Sequence, residues 1–186
     1  MDGLIVYGSK YGTTRRYAEE LSRLTGLSSI PCGEFHRLAE GSILIYLGAL
    51  YAGGVLGLKQ TMKGLSFREG QRLIVATVGL ADPAEPQNRA HIRAALQKQL
   101  PPELSERAVL FHLRGGIDYA VLSPRHRAMM AAMCYGALKE LPFEETCRLA
   151  MAVSAAAVTC AGTEAPAREQ VDELLKQVEL EVLDVL

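Results

Sequence analysis

The stretch IVYGSKYGTTRRYAEEL, residues Ile5 to Leu21, joins an apolar strand to a helix through a turn rich in glycine and hydroxyl groups. The turn, Ser9 to Thr14, places hydroxyl side chains and a run of backbone N–H groups at the start of the helix. N–H groups without intrahelical acceptors, together with the helix dipole, favour an anion at this place. Gly12 lets the backbone approach a ligand closely. The stretch therefore predicts a strand–turn–helix unit that binds phosphate.

The spacing of the turn argues against a nucleotide triphosphatase. Lys10 precedes Gly12, whereas the Walker pattern G-x-x-x-x-G-K-[ST] places its lysine after the second glycine. The alternative to a phosphate site is an ordinary capped strand–turn–helix unit with no ligand.

Length and charge are those of one compact α/β domain. The 186 residues suit a single domain over 1–186, and a hydrophobic content of 49% can fill a sizeable core. The formal net charge is −1, so no global field recruits nucleic acid or an anionic membrane. We therefore expect no nucleic-acid partner.

The cysteines argue against a metal centre or a redox dithiol. Cys32, Cys134, Cys147 and Cys160 are widely spaced and form no C-x-x-C pair. They are typical of buried thiols in a reducing compartment. The N-terminus leads directly into a strand, and no uncharged run reaches the roughly 20 residues of a membrane span. The sequence predicts a cytoplasmic protein without a metal site.

Short aliphatic runs alternate with helical segments along the chain, as in parallel sheets whose buried strands are joined by crossover helices. No internal repeat or low-complexity segment interrupts this alternation. The predicted strands are Leu4–Gly8, Ser28–Cys32, Ile43–Gly48, Leu73–Val78 and Ala108–Leu113, and the predicted helices are Thr13–Thr25, Leu58–Lys63, Gln87–Gln99, Arg125–Glu140 and Ala167–Val185.

The opening stretch resembles the N-terminal FMN-binding signature of flavodoxins. The resemblance implies an α/β, doubly wound sheet of five parallel strands in the order 2-1-3-4-5, with helices on both faces. It also implies that FMN is the cofactor. The positions that match the signature are Tyr7, Ser9, Gly12, Thr14, Ala18 and Leu21, and the residues expected to hold the FMN phosphate are Ser9, Lys10, Tyr11, Gly12, Thr13 and Thr14.

A doubly wound sheet binds its ligand beyond the carboxyl ends of its strands, so the loops after the third and fourth strands are candidates for the flavin ring. Tyr51 is suited to stacking on a flat ring, although it also fits an exposed loop with one aromatic residue. Asp82 could disfavour a negatively charged reduced flavin, or it could initiate a turn before Pro83. The predicted ring-side residues are Ala49, Leu50, Tyr51, Ala52 and Gly53 after the third strand, and Gly79, Leu80, Ala81 and Asp82 after the fourth.

Residues 4–140 are most similar to the flavodoxin-type bacterial menaquinone-dependent protoporphyrinogen oxidases. Simple electron-carrier flavodoxins are strongly acidic, whereas this chain is nearly neutral. The resemblance implies a flavin that cycles between a small-molecule donor and acceptor, such as a porphyrinogen and a quinone. The segments that carry it are Gly48–Lys63, Arg114–Tyr119, Leu122–Arg127 and the methionines Met129, Met130 and Met133.

A basic cluster follows the last predicted strand. It could bind a substrate carboxylate, or a membrane surface beside the three methionines. We favour the alternative of an amphipathic surface helix with solvated arginines. The histidines show no ligand spacing and no G-x-S-x-G elbow is present, so we assign no catalytic side chain. The members of the basic cluster are Arg114, Arg125, His126 and Arg127.

The sequence thus favours an FMN-dependent oxidoreductase or electron-transfer protein, as a monomer or a homodimer. Two alternatives remain: a simple electron shuttle, and a flavodoxin fold that has lost flavin and serves as an interaction module. The Ala-rich segment Leu141–Ala161 is either a core helix or a partly buried connector, and no function is assigned to it.

Overall fold

A computed structural model describes residues 2–39, 42–51, 53–68, 70–160 and 166–180 of the chain. These residues divide into two compact units, 1–117 and 118–186. The first unit contains a sheet and the second is helical. The expectation of a single domain over 1–186 stays a prediction.

The sheet of the first unit has five parallel strands on its main path and a short sixth strand beside it. The order along the path is β2-β1-β3-β5-β6, and β4 pairs with β3 in antiparallel orientation. Counted among the parallel strands alone, this is the predicted order 2-1-3-4-5, which confirms the doubly wound α/β fold. The strands are β1 Gly3–Gly8, β2 Ser28–Pro31, β3 Ile43–Tyr51, β4 Gly54–Val55, β5 Arg72–Gly79 and β6 Val109–Arg114.

Helices cover the sheet on both faces because successive side chains of a strand point to opposite sides. On one face, Val6, Tyr46 and Val75 lie in a core cluster with residues of α2, α3 and α4. On the other face, Ile5 and Leu47 pack with Ala18 of α1. The helices of this unit are α1 Thr13–Thr25, α2 Leu58–Met62, α3 Pro86–Gln97 and α4 Pro102–Arg107, with a 3₁₀ turn at Cys32–Glu34.

The second unit consists of three α-helices after a 3₁₀ turn at Tyr119–Val121. The hydroxyl of Ser123 caps α5 by accepting from the backbone N–H of His126 at 3.3 Å. An apolar cavity of about 480 Å³ lies between α5 and α6 and is lined largely by alanines and branched aliphatic side chains. The helices are α5 Pro124–Leu138, α6 Phe143–Thr159 and α7 Arg168–Leu175.

Several elements differ from the sequence predictions or decide between alternatives that the sequence left open. Strand β3 continues past Gly48 to Tyr51, because it pairs there with β4. Helix α4 was not predicted, since six residues that begin at the second proline of a pair are too few to show helical periodicity. Within the segment 141–161, residues Phe143–Thr159 form the helix α6, which agrees with the helix alternative; residue 161 lies outside the described part. Helix α7 ends at Leu175 rather than at the predicted Val185. Apolar and polar residues begin to alternate after Leu175, and residues 181–185 lie outside the described part.

Candidate functional site

The turn between β1 and α1 contains a glycine in the left-handed backbone conformation. Gly12 is the N-cap of α1, with φ 90° and ψ −22°. A Cβ atom at this position would meet no protein atom within 4 Å, so the backbone angle rather than crowding demands glycine. The backbone N–H of Gly12 donates to Ser9 Oγ at 3.1 Å, which closes the turn. The turn is thus stabilised by its own hydrogen bond, and the space beside Gly12 is open.

The N-terminus of α1 fits an anion. The first intrahelical bond runs from Arg16 N–H to Gly12 C=O at 3.0 Å, so the preceding N–H groups of the helix have no intrahelical acceptor. No side chain caps this end, and its first turn holds no acidic residue. The helix dipole adds partial positive charge, and the exposed Lys10 lies in the adjoining turn. Donors, dipole and lysine together match what a phosphate monoester requires.

The hydroxyl side chains of the turn differ in their surroundings. Thr14 is buried, with 2% of its surface exposed. Thr13 Oγ1 donates to the carbonyl of Gly116 at 3.1 Å, so this hydroxyl already holds α1 to the loop after β6. Ser9 Oγ accepts from Gly12 and keeps its own proton for donation. Ser9 is therefore better suited than Thr13 to donate a hydrogen bond to a phosphate oxygen.

The residues after the third strand form a hairpin rather than an open loop. Leu50 pairs with Val55 and Tyr51 with Gly54, and Gly53 has a φ of 76° at the bend. Ala49 belongs to β3 and its carbonyl accepts from Leu56 N–H at 2.9 Å. Tyr51 is 39% exposed at the end of β3. Ala52 lies outside the described residues.

This hairpin contacts the end of β1. A Cβ atom on Gly8, the last residue of β1, would collide with the carbonyl oxygen of Leu56. A Cβ on Gly48 would likewise collide with Val55. These two glycines allow the hairpin to close over the end of the central strands. The structure thereby brings the phosphate turn and the β3 hairpin together at one edge of the sheet.

The segment after β5 joins the same edge. Gly79 ends β5, and a Cβ there would lie 2.5 Å from Cδ1 of Leu50. Leu80 is 52% exposed and Ala81 is also exposed. All three predicted segments therefore meet at the carboxyl ends of β1, β3 and β5, where the strand order places the ligand of such a sheet.

Asp82 plays the turn role that the sequence offered as an alternative. Its Oδ1 accepts from Ala84 N–H at 2.9 Å, and its backbone carbonyl accepts from Asn88 Nδ2 at 3.0 Å. Its Oδ2 also lies 3.0 Å from Arg114 Nη1, with both side chains more than half exposed. The arginine offsets the carboxylate charge on which the predicted repulsion of a reduced flavin depends.

The loop after β6 is a part of this edge that the sequence did not assign to the site. Gly115 N–H donates to Gly79 C=O at 2.6 Å, and Tyr17 Oη donates to Arg114 C=O at 2.9 Å. With the bond from Thr13 to Gly116, these contacts join the loop to both β5 and α1. The sequence did contain a signal for assigning this loop to the site, because the predicted fifth parallel strand ends at the same edge of the sheet as the others.

The comparison with known families agrees with this geometry. The flavodoxin domain family matches residues 4–140, which is more than half of the 186 residues. The chain belongs to the flavodoxin domain family. Among solved structures, a cysteine-to-alanine mutant of flavodoxin from Pseudomonas aeruginosa is similar over 74% of this chain and 95% of its own, at 20% identity and a TM-score of 0.34. No curated protein matches this flavodoxin-domain chain significantly.

The predicted basic cluster is divided between the two units of this flavodoxin-domain protein. Arg114 pairs with Asp82 in the first unit. In the second unit, Arg125 Nε donates to Ser154 Oγ at 3.1 Å, and Arg127 Nη2 donates to the carbonyl of Ala120 at 3.3 Å. The three methionines of α5 are half-buried. These contacts support a structural role for the arginines.

Two polar groups lie within the sheet, the buried Tyr46 and the half-buried His112. Burial raises the pKa of Tyr46, so its hydroxyl remains protonated and donates to Leu56 C=O. Thr77 Oγ1 and His112 Nδ1 are 2.9 Å apart between β5 and β6. Burial, followed by the charges of Arg93 and Arg89, lowers the pKa of His112. Neither group lies in a predicted cofactor segment.

Among the described residues, no group of three or more His, Cys, Asp or Glu side chains is placed to hold a metal ion. Within the same residues, no helix has the length and apolar character needed to cross a bilayer.

Proposed function

We propose that this flavodoxin-domain protein binds FMN at the carboxyl edge of its sheet and acts as an FMN-dependent oxidoreductase. The observation that carries the proposal is the convergence of three segments at that edge, beside the uncapped N-terminus of α1. Ser9, Lys10, Tyr11, Gly12, Thr13 and Thr14 would hold the phosphate, and segments 49–53 and 79–82 would flank the ring.

FMN supplies the electron or hydride transfer when bound, and the protein orients it and adjusts its potential. The chain's own residues act by position. The hairpin carries Tyr51 at the end of β3, and the exposed Leu80 stands after β5. The pair of Asp82 and Arg114 contributes little net charge beside the predicted ring position. No side chain needs to act as a general acid or base.

Within this function we propose the type of the menaquinone-dependent protoporphyrinogen oxidases, with a porphyrinogen as donor and a quinone as acceptor. The segment Arg114–Tyr119 is one of those that carry this resemblance. Its residues Arg114 and Gly116 bind α1 through Tyr17 and Thr13, which puts the start of the segment beside the phosphate turn. The nearly neutral net charge of −1 also differs from that of the acidic electron carriers.

The first experiment is the visible absorption spectrum of freshly purified protein before and after addition of FMN. We expect the bands of oxidised flavin to stay with the protein through gel filtration. Absence of flavin at saturating FMN would contradict the cofactor proposal and favour an interaction module.

The second experiment measures porphyrin fluorescence during anaerobic incubation of the loaded protein with protoporphyrinogen and a menaquinone. We expect fluorescence to rise only when all three components are present. Flavin that is reduced and reoxidised reversibly, with no porphyrin formed, would instead favour an electron shuttle.

A further inference from the structure

Tyr46 is the largest fully buried side chain of the protein's described core, and its hydroxyl reaches out of that core to a loop. It lies in the middle of β3 with 0% of its surface exposed. Its hydroxyl donates to the carbonyl of Leu56 at 2.5 Å. Burial raises the pKa of Tyr46, so the donor proton is retained throughout the ordinary pH range. A core residue thus binds the backbone of Leu56, which directly follows β4 of the hairpin.

The bonded carbonyl of Leu56 is fixed from a second side. It lies against the Cα of Gly8, where no side chain could be placed. The next residue, Gly57, has a φ of 77°, and the space that its Cβ would occupy is taken by Cys32 Sγ at 2.5 Å and Tyr46 Oη at 2.8 Å. The backbone at 56 and 57 is therefore confined by β1, by β3 and by the 3₁₀ turn after β2.

The other part of the hairpin is held by a side chain that follows α3. Gln99 Oε1 accepts from Val55 N–H at 2.8 Å. Gln99 Nε2 fills the space where a Cβ on Gly54 would lie, at 2.5 Å. Tyr46 and Gln99 therefore bind two successive residues, Leu56 and Val55, from the sheet and from a helix. Neither side chain lies in a segment assigned to the flavin.

We propose that Tyr46 is a positioning residue that fixes the hairpin of β3 and β4, through the following Leu56, against the end of β1, so that the wall beside the flavin ring is formed before FMN binds. The inference rests on the proposed FMN site. A preformed wall avoids the ordering cost of a flexible loop. The apparent dissociation constant equals the intrinsic one divided by the fraction of molecules in which the wall is formed. FMN affinity then depends on a hydroxyl that does not touch FMN.

The test compares Tyr46→Phe with Tyr135→Phe. Both changes remove one oxygen atom, but Tyr135 is half-exposed on α5 in the second unit. Phenylalanine keeps the ring in the core and leaves Leu56 C=O without its donor. We expect hydrogen exchange of the Leu56 amide in the cofactor-free protein to become about tenfold faster and the FMN dissociation constant to rise about tenfold. Tyr135→Phe should change neither quantity.

A second pair of variants keeps the test valid if Tyr46→Phe folds poorly. Gln99→Ala removes the acceptor of Val55 N–H, whereas Gln99→Glu keeps a side-chain oxygen for it. We expect the alanine variant to weaken FMN binding and the glutamate variant to restore most of it.

The outcomes separate this inference from the proposed function. If the wild-type protein binds FMN and Tyr46→Phe binds it equally well, the positioning role is wrong and the FMN site stands. If the wild-type protein binds no FMN, the proposed function fails and the role toward FMN fails with it. In that case the exchange measurement still reports whether Tyr46 fixes the hairpin.

Discussion

Gly12 has a backbone conformation that a β-branched residue adopts only with strain, and the same holds for Gly26 at the other end of α1. Their φ angles are 90° and 72°, and neither would bring a Cβ within 4 Å of another group. Gly12→Val and Gly26→Val should therefore each destabilise the fold by about 1 to 3 kcal/mol. Only Gly12→Val should also weaken FMN binding, because only Gly12 lies in the phosphate turn.

Urea denaturation and FMN titration of both variants test this expectation. Equal loss of FMN affinity in the two variants would mean that strain in α1, and not the phosphate turn, controls binding. Unchanged affinity in Gly12→Val would remove the turn from the site.

Thr14 is buried in the first turn of α1, so its hydroxyl and its methyl group have to be tested separately. Thr14→Ala removes both the hydroxyl and the methyl group and should weaken FMN binding by about 1.5 to 3 kcal/mol, or roughly tenfold to a hundredfold. Thr14→Ser removes the methyl group and should keep most of the affinity. Fluorescence titration with FMN measures both, and equal losses would show that packing rather than a hydrogen bond is responsible.

Single residues of the site could be predicted where local sequence decides their role. Gly12 is such a residue, because a positive φ at the start of a helix follows from the turn itself. The pairing of Asp82 with Arg114 could not be predicted, since the two lie on different loops and meet only when β5 and β6 pair. The turn role of Asp82 was offered by the local sequence and is present.

At the scale of elements, the contact between β5 and β6 predicts a pH dependence. Burial, with the charges of Arg93 and Arg89, holds the pKa of His112 below its ordinary value of 6.5. The unfolded chain therefore binds a proton more readily than the folded chain does. Folding stability should be fully present above pH 6.5 and should fall as the pH drops below 6.5 toward the lowered folded pKa.

Urea denaturation across this pH range tests the prediction with a matched pair of variants. We expect the pH dependence to be flatter in His112→Asn than in His91→Asn, whose side chain lies on the exposed side of α3. Equal slopes in the two variants would contradict the assignment to His112.

The five parallel strands were predicted to within a few residues. For β1, β3 and β5 the reason is that buried strands form continuous apolar runs. The hairpin of β3 and β4 was not predicted, since β4 has two residues and the adjacent Gly53 and Gly54 suggest a loop. Tertiary hydrogen bonds stabilise the hairpin, since Gln99 and Tyr46 bind its backbone from distant parts of the chain. Such elements cannot be read from local periodicity.

At the scale of the whole molecule, the two units predict different effects of the same substitution. Gly136 of α5 lies against α6, and a Cβ there would be 2.5 Å from Cγ2 of Thr146. Gly136→Ala should destabilise the helical unit by about 1 to 3 kcal/mol through overpacking, although alanine favours helices. FMN affinity should not change, because every predicted cofactor residue lies in the first unit.

Gly8→Ala is the matched change in the first unit, where the new methyl group would meet the carbonyl of Leu56. It should abolish FMN binding. Thermal unfolding followed by circular dichroism, with FMN titration of both variants, measures these effects. Addition of Thr146→Ala to Gly136→Ala should recover part of the lost stability, and a loss of FMN affinity in Gly136→Ala would show that the site needs the helical unit.

The bond from Thr13 to Gly116 spans 103 residues of the chain. During synthesis at about 5 to 20 residues per second, the phosphate turn leaves the ribosome roughly 5 to 20 s before the carbonyl that holds its helix. The wall formed by the hairpin also arrives later than the turn that it adjoins. A nascent chain therefore has no complete cradle until β6 has been made. If the proposed FMN site is correct, the cofactor is captured late in the life of the polypeptide, after the first steps of folding.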